Sequence, residues 1–177
     1  MGRIARISSG APWETIFGYS RVVRAGGWVM VSGTTSFDSR GNIVGVNQMY
    51  VQARQAISNI AAALERAGLS LTQVVRTRVF VTDLGRFREV ARAHQEAFGA
   101  NPPASSAIEI RRLVHPDMLI EIEADAYDDS DGGDGGVIAE GAAAARSGPA
   151  KPAPLGRAPK KSVAAKRRAP VKAPRHR

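Results

Sequence analysis

The chain has 177 residues, enough for one domain with a sizeable core but too few for two. It contains no cysteine, which excludes a disulfide scaffold, a thiolate nucleophile and a thiolate metal site. No apolar run reaches the length of a membrane span or of a signal peptide, so we expect a cytoplasmic protein with no membrane partner.

The net charge of +9 is distributed unevenly along the chain. Residues 1–127 hold 14 Arg, no Lys and 11 acidic residues, whereas residues 128–177 hold 11 basic residues against 5 acidic ones. Six of the ten prolines and no Phe, Tyr or Trp lie in this second segment. Burial of apolar surface in this segment therefore cannot offset the conformational entropy that folding would cost. We therefore predict a folded domain over residues 1–127 and a disordered Gly/Ala/Pro-rich basic tail over residues 128–177.

Six segments of the predicted domain have the pattern of β-strands. They are rich in Val, Ile and Thr or alternate between apolar and polar residues, and they lie at residues 3–8, 19–25, 28–33, 73–82, 105–113 and 118–127. The pair Gly26-Gly27 predicts a tight hairpin between the second and third segments, because glycine adopts the positive φ angles that such turns need.

Two segments have helical periodicity. Residues 47–67 carry apolar side chains at spacings of three and four, and Gly68 is placed to end that helix. Residues 86–98 follow Asp83 as a candidate N-cap. Their apolar stripe comprises Phe87, Val90, Ala91, His94 and Phe98. This order of elements predicts an α+β fold with two helices packed on one face of a mixed sheet.

The last predicted strand has two chemically different faces. One face carries Ile120, Ile122, Ala124 and Ala126, and the other carries Leu119, Glu121, Glu123 and Asp125. We expect the helices to cover the apolar face. The charged face, which Arg76 and Arg78 can join, is expected to meet another subunit, because Phe80 would otherwise be exposed beside unneutralised carboxylates.

Several sequence blocks occur together in a familiar order. They are Val31-Ser32-Gly33 after the hairpin, the helix ending Ala67-Gly68, residues 74–84, residues 103–110 and residues 119–124. Over about residues 15–126 the chain resembles the RidA/YjgF family of enamine and imine deaminases. The resemblance implies a chorismate-mutase-like fold and a homotrimer around a central barrel, with small-molecule ligand clefts between subunits. It also implies hydrolysis of 2-aminoacrylate-type enamines and their imine tautomers to 2-keto acids and ammonia.

The carboxylate-binding motif of that family is altered in this chain. The family places an Arg in a Pro-x-Arg-Ser/Thr motif, and its planar guanidinium clamps the substrate carboxylate. Here that position is Ser105, which carries no charge, so the resemblance implies weak or no activity on 2-aminoacrylate. Arg111 shares the parity of Ser105 but lies about 20 Å further along an extended strand. This distance argues against rescue by an Arg of the same strand and leaves a neighbouring subunit as the other source of one.

A Glu on the last strand, thought to position the water in this family, is retained as Glu121. That residue is the predicted catalytic group. An ion pair to Arg76 or Arg78 is the alternative interpretation, because cross-strand pairing is a common role for carboxylates on a sheet face.

The remaining predicted substrate-binding residues surround the first hairpin: Trp13, Glu14, Tyr19, Ser32, Gly33 and Thr34. Gly33 allows backbone donors to approach a small ligand, although a glycine at a strand end also serves simple turns. Ordinary packing is the alternative for Trp13, Glu14 and Tyr19. His94 is interpreted as a half-buried, hydrogen-bonded residue. The acidic stripe lacks the His cluster or wrapping loop of a metal site, so we predict neither metal nor cofactor.

Three hypotheses for function follow. The first is a hydrolase, or deaminase, of small enamines, imines or related C–N compounds. The second is a non-catalytic trimer that binds a small ligand, which the loss of the Arg favours. The third is nucleic-acid association through residues 151–177, whose charges would contact phosphates without sequence preference. A tail that only increases solubility is the alternative to the third.

Overall fold

A computed structural model describes residues 4–130. Six strands form one sheet: β1 (Ile4–Ile7), β2 (Val22–Ala25), β3 (Trp28–Thr34), β4 (Val74–Val81), β5 (Ala104–Glu109) and β6 (Ile120–Tyr127). Three helices complete the domain: α1 (Pro12–Phe17), α2 (Met49–Glu65) and α3 (Phe87–Phe98). Nearly all of the predicted tail, from residue 131 onward, lies outside the described residues.

The sheet is mixed, with the strand order β1-β2-β3-β6-β4-β5. Every neighbouring pair is antiparallel except β4 and β5, which are parallel and connected through α3. β6 is therefore the central strand that joins two groups of strands formed earlier in the chain. The predicted hairpin is confirmed, because Ala25 pairs with Trp28 and Gly26 has a φ angle of 59°.

The helices α2 and α3 provide the cover for one face of the sheet, as predicted. Ile120, Ile122, Ala124 and Ala126 are at most 1% exposed, whereas Glu121, Glu123 and Asp125 remain partly exposed. The side chain of Gln52, itself fully buried, ties α2 to the start of β6. Its amide donates to the carbonyls of Gly45 and Asp117 and accepts from the backbone of Leu119, so all of these polar groups are satisfied inside the core.

Beyond shifts of one or two residues at element ends, the predicted elements needed four corrections. α1 was not predicted, because its six residues are too few to show a helical period and its N-cap Ala11 supplies no side-chain bond. The second strand begins at Val22, since residues 19–21 precede it as an irregular segment. Asp83 caps a short 3₁₀ turn before α3, accepting from the backbone of Gly85. The fifth strand ends at Glu109, so Arg111 is outside it.

The buried stripe of α3 also differs from the prediction. Val90, Ala93 and Phe98 are the buried residues, while Phe87 at the first position is 38% exposed. The helix begins at Phe87 itself, so this ring lies at its end rather than over the sheet. Within residues 4–130, none of the helices has the length and apolar character needed to span a membrane.

Candidate functional site

Arg21 organises a cluster at one end of the β2-β3 hairpin. Its guanidinium donates to the Tyr19 hydroxyl at 2.9 Å and to the Gly33 carbonyl at 2.9 Å. It also donates to the Ser32 carbonyl at 3.2 Å and to Thr34 Oγ1 at 3.1 Å. Four of the predicted site residues are therefore brought together by one side chain that sequence reasoning did not single out.

A β-bulge in β3 explains why these groups converge. Val31 pairs with Ala124 and Thr34 pairs with Ile122, so β3 uses one more residue than β6 over this stretch. The extra residue disturbs the ladder and leaves the carbonyls of Ser32 and Gly33 available to Arg21. The Ser32 hydroxyl is used internally, because it donates to the Ser20 carbonyl at 2.8 Å.

Glu121 lies on β6 against this bulge. A Cβ atom at Gly33 would lie 2.0 Å from Glu121 Oε1, so only glycine leaves room for the carboxylate in this position. Burial raises the pKa of Glu121, the neighbouring Glu123 raises it further, and Arg21 opposes both effects. Within residues 4–130, no donor forms a hydrogen bond with this carboxylate. It is therefore a half-buried base that is free to accept a proton.

The alternative role for Glu121, an ion pair with Arg76 or Arg78, is not formed among the described residues. Arg78 instead contacts Glu123 at 3.3 Å and Asp125 at 3.1 Å. These two carboxylates share the arginine of the adjacent strand as an ion-pair partner. Glu121 is thus distinguished from the other acidic residues of β6 by its surroundings and not by its sequence pattern.

Glu14, predicted to border the cleft, is only 7% exposed. Burial raises its pKa, but hydrogen bonds from the Ser8 hydroxyl and from the backbone and hydroxyl of Ser9, together with the charge of Arg21, lower it below its ordinary value. Glu14 therefore holds α1 against the end of β1 as an ionised group. Its neighbour Trp13 is 55% exposed and lies at the surface of the same helix.

Ser105 does not join the Arg21 cluster within one protomer. Its partner in the register is Thr77 on β4, and both side chains point to the face that α3 covers. Thr77 Oγ1 donates to Ser105 Oγ at 2.8 Å and lies 3.0 Å from His94 Nε2. Glu121 lies two strands away, and its side chain points to the opposite face.

Arg21 was missed because the resemblance directed attention to the position of Ser105. The sequence gives only a partial signal, because the contacts of Arg21 depend on the β-bulge. Arg21 has the same parity as Val23 and lies directly before a strand whose partner carries Ser32-Gly33. From this position its guanidinium reaches the carbonyls of Ser32 and Gly33, which the bulge leaves without a partner in the ladder. Among residues 4–130, no group of three or more His, Cys, Asp or Glu side chains is arranged to hold a metal ion.

Comparisons with known proteins identify the family of the chain and support its fold. The family model described as Endoribonuclease L-PSP matches residues 10–128. The crystal structure of Rv2704 from Mycobacterium tuberculosis, a member of the YjgF/YER057c/UK114 family, is 44% identical with a TM-score of 0.65, covering 71% of this chain and 100% of that one. RidA from an Antarctic Psychrobacter is 28% identical with a TM-score of 0.60, covering 70% of this chain and 94% of that one. A RutC family protein of Pyrococcus horikoshii is 37% identical over 62% of this chain and 86% of its own length. The chain belongs to the YjgF/RidA family, whose family model carries the description endoribonuclease L-PSP.

Proposed function

We propose that the protein is a hydrolase of small imines and enamines that lack a carboxylate, acting as a homotrimer with its ligand cleft between subunits. The observation that carries this proposal is the Glu121 carboxylate, half-buried and without a hydrogen-bond donor among the described residues, beside the fixed guanidinium of Arg21. A carboxylate in such surroundings is suited to accept a proton from water.

The chemistry assigned to Glu121 is general base catalysis. As the oxygen of a water molecule bonds to the carbon of the C=N group, the π electrons move to nitrogen, and one water proton passes to Glu121 and from there to the nitrogen, which gives a carbinolamine. Glu121 then takes the remaining hydroxyl proton as the C=O bond forms. The C–N bond breaks with its electron pair leaving on nitrogen, and Glu121 passes that proton to the nitrogen, so ammonia leaves and the carboxylate is again ionised. The products are a ketone or aldehyde and ammonia. The Tyr19 hydroxyl, fixed by Arg21, lies at the same end of the sheet and can contact the substrate.

The charge of the site supports a substrate without a carboxylate. The guanidinium of Arg21 is already occupied by four protein acceptors. The carboxylates of Glu14 and Glu121 also lie within its electrostatic reach. Little positive charge is left for a substrate anion, and Ser105 supplies none. Small uncharged imines therefore fit this site better than 2-aminoacrylate.

The trimer is part of the proposal because one protomer separates the two groups of predicted site residues. Ser105 lies on the edge strand β5, whereas Glu121 lies on the central strand β6 with its side chain on the other face, within the electrostatic reach of Arg21. A second copy that brings its β5 edge against the open face would complete the cleft.

The test is ammonia release from two freshly generated compounds, cyclohexanimine and 2-aminoacrylate. We expect the wild type to hydrolyse cyclohexanimine and Glu121→Gln to be slower by roughly 100-fold, the range of a lost general base. Asp125→Asn is the matched control on the same strand face, and it should retain activity. Ser105→Arg should gain activity on 2-aminoacrylate. No turnover of either compound by the wild type or by Ser105→Arg would contradict the proposal and favour the non-catalytic binding trimer.

A further inference from the structure

Three polar side chains form a continuous chain of hydrogen bonds from the inside of the domain to its edge. His94 on α3 is half-buried, and its ring contacts that of Phe98 with a centroid distance of 4.6 Å. Thr77 on β4 is 1% exposed, and Ser105 on β5 is exposed. The two links measure 3.0 Å and 2.8 Å.

The direction of this chain follows from counting protons. A threonine hydroxyl has one proton to donate. Thr77 donates that proton to Ser105 Oγ, so the proton between Thr77 and His94 must come from the imidazole. Burial lowers the pKa of His94, which favours a neutral ring, and a neutral ring carries its proton on either Nδ1 or Nε2. The arrangement selects Nε2.

The consequence reaches the exposed end of the chain. Because Ser105 accepts from Thr77, its own proton remains available to a group outside the protomer. With the opposite tautomer the chain would reverse, Ser105 would donate inward, and only its lone pairs would face outward. The half-buried imidazole of His94 thus decides whether Ser105 presents a donor or an acceptor.

We propose that His94 and Thr77 are positioning residues that fix Ser105 as a hydrogen-bond donor to an acceptor atom of the ligand in the intersubunit cleft. This inference rests on the proposed function in one respect, since Ser105 must line the cleft of the trimer. It adds a specificity rule: the ligand carries an uncharged oxygen or nitrogen acceptor, and not a donor group, at this point of the cleft.

The first measurement is the ¹⁵N NMR spectrum of the full-length protein at a pH where His94 is neutral, with His115→Gln and His176→Gln used for assignment. We expect the Nε2-protonated tautomer in the wild type and in Thr77→Ser. Thr77→Val keeps the shape of the side chain and removes the hydroxyl. In this variant the Nε2-protonated tautomer of His94 should no longer predominate. A wild-type ring protonated on Nδ1 would overturn the inference.

The second measurement uses two probes of equal shape, cyclohexanone and methylenecyclohexane, of which only the ketone has an acceptor. We expect the wild type and Thr77→Ser to bind the ketone more tightly, and Thr77→Val and Ser105→Ala to lose that preference by about 5- to 10-fold, the effect of one net hydrogen bond. A wild type without the preference, or an undiminished preference in Thr77→Val, would overturn the inference. If the protein releases no ammonia while the NMR and probe measurements give the expected results, only the proposed function is contradicted.

Discussion

Glu121 and Gly33 are in contact across the β3-β6 ladder, where the carboxylate occupies the space that a side chain at position 33 would need. The φ angle of Gly33 is not in the left-handed region, so its backbone would accept alanine. Steric exclusion, and not backbone freedom, is the reason for glycine here. The clash would fall on the far end of the Glu121 side chain, which can rotate away.

Gly33→Ala should therefore leave the fold intact and displace Glu121. We expect ammonia release to fall on the order of 100-fold, as for a catalytic group moved by about 1 Å, with an almost unchanged thermal midpoint. The double variant Gly33→Ala with Glu121→Gln is the control. It should be no slower than Glu121→Gln alone, and a further large loss would show that Gly33 acts by another route.

Glu121→Gln should stabilise the protein at neutral pH. The unfolded side chain titrates near its ordinary pKa of 4.5, and burial followed by the proximity of Glu123 raises the pKa in the native state. Between these two pKa values the native state binds more protons, so wild-type stability falls as the pH rises through this window and stays reduced above it. Urea unfolding should show the variant as the more stable protein at neutral pH and no difference well below pH 4.5. A less stable variant at neutral pH would contradict the pKa direction.

Glu14→Gln should destabilise the domain. The buried carboxylate accepts hydrogen bonds from Ser8 and Ser9, and weakening such a group costs about 1–3 kcal/mol in the free energy of unfolding. Because the native pKa of Glu14 is lowered, its contribution is present above the unfolded pKa of 4.5 and is lost as the pH falls through the native value. Chemical unfolding measures this, with Glu65→Gln at the exposed end of α2 as the control. Equal effects of the two variants would contradict it.

Ile108→Glu should dissociate the proposed trimer. Ile108 pairs in register with Phe80 on the open face of the sheet and is 49% exposed in one protomer. A carboxylate placed there would lose its hydration if a second subunit covered it. Sedimentation should show trimers for the wild type and monomers for the variant. Val114→Glu, at a residue that is 82% exposed, should leave the trimer unchanged. A monomeric wild type would contradict the assembly.

The basic segment is tested by its removal. Residues 141–177 carry 11 positive charges and no acidic residue, so we expect removal of residues 131–177 to abolish retention of the protein on immobilised DNA and RNA at low salt. Replacing only the Lys and Arg residues of 151–177 by Gln should have most of the same effect. Retention that is unchanged by the deletion would favour a tail that only increases solubility.

The alternation along β6 was sufficient to predict which side chains are buried, because a strand between two neighbours and under two helices has one apolar face throughout. The cluster around Arg21 was only partly predictable. Tyr19, Gly33 and Glu121 came from the resemblance, whereas Arg21 depends on a β-bulge. A bulge inserts one residue without changing the local hydrophobic pattern, so neither periodicity nor composition reveals it.

Ser105 shows a second limit of sequence reasoning. Its position matched the family motif, and parity placed it on a strand face, but the hydrogen-bond chain to His94 joins residues from β4, β5 and α3. Thr77 and His94 are 17 residues apart in sequence, and only the packing of α3 on the sheet brings them together. The pattern of α3 predicted that His94 is half-buried and hydrogen-bonded. Its partner Thr77 could not be predicted, because that contact depends on how α3 packs on the sheet.

The position of β6 between β3 and β4 has a consequence for synthesis on the ribosome. Strands β1 to β5 are translated first, yet the two groups they form share no ladder until the last strand is inserted between them. Because domains fold as units during translation, this one completes its sheet only after residue 127 has emerged.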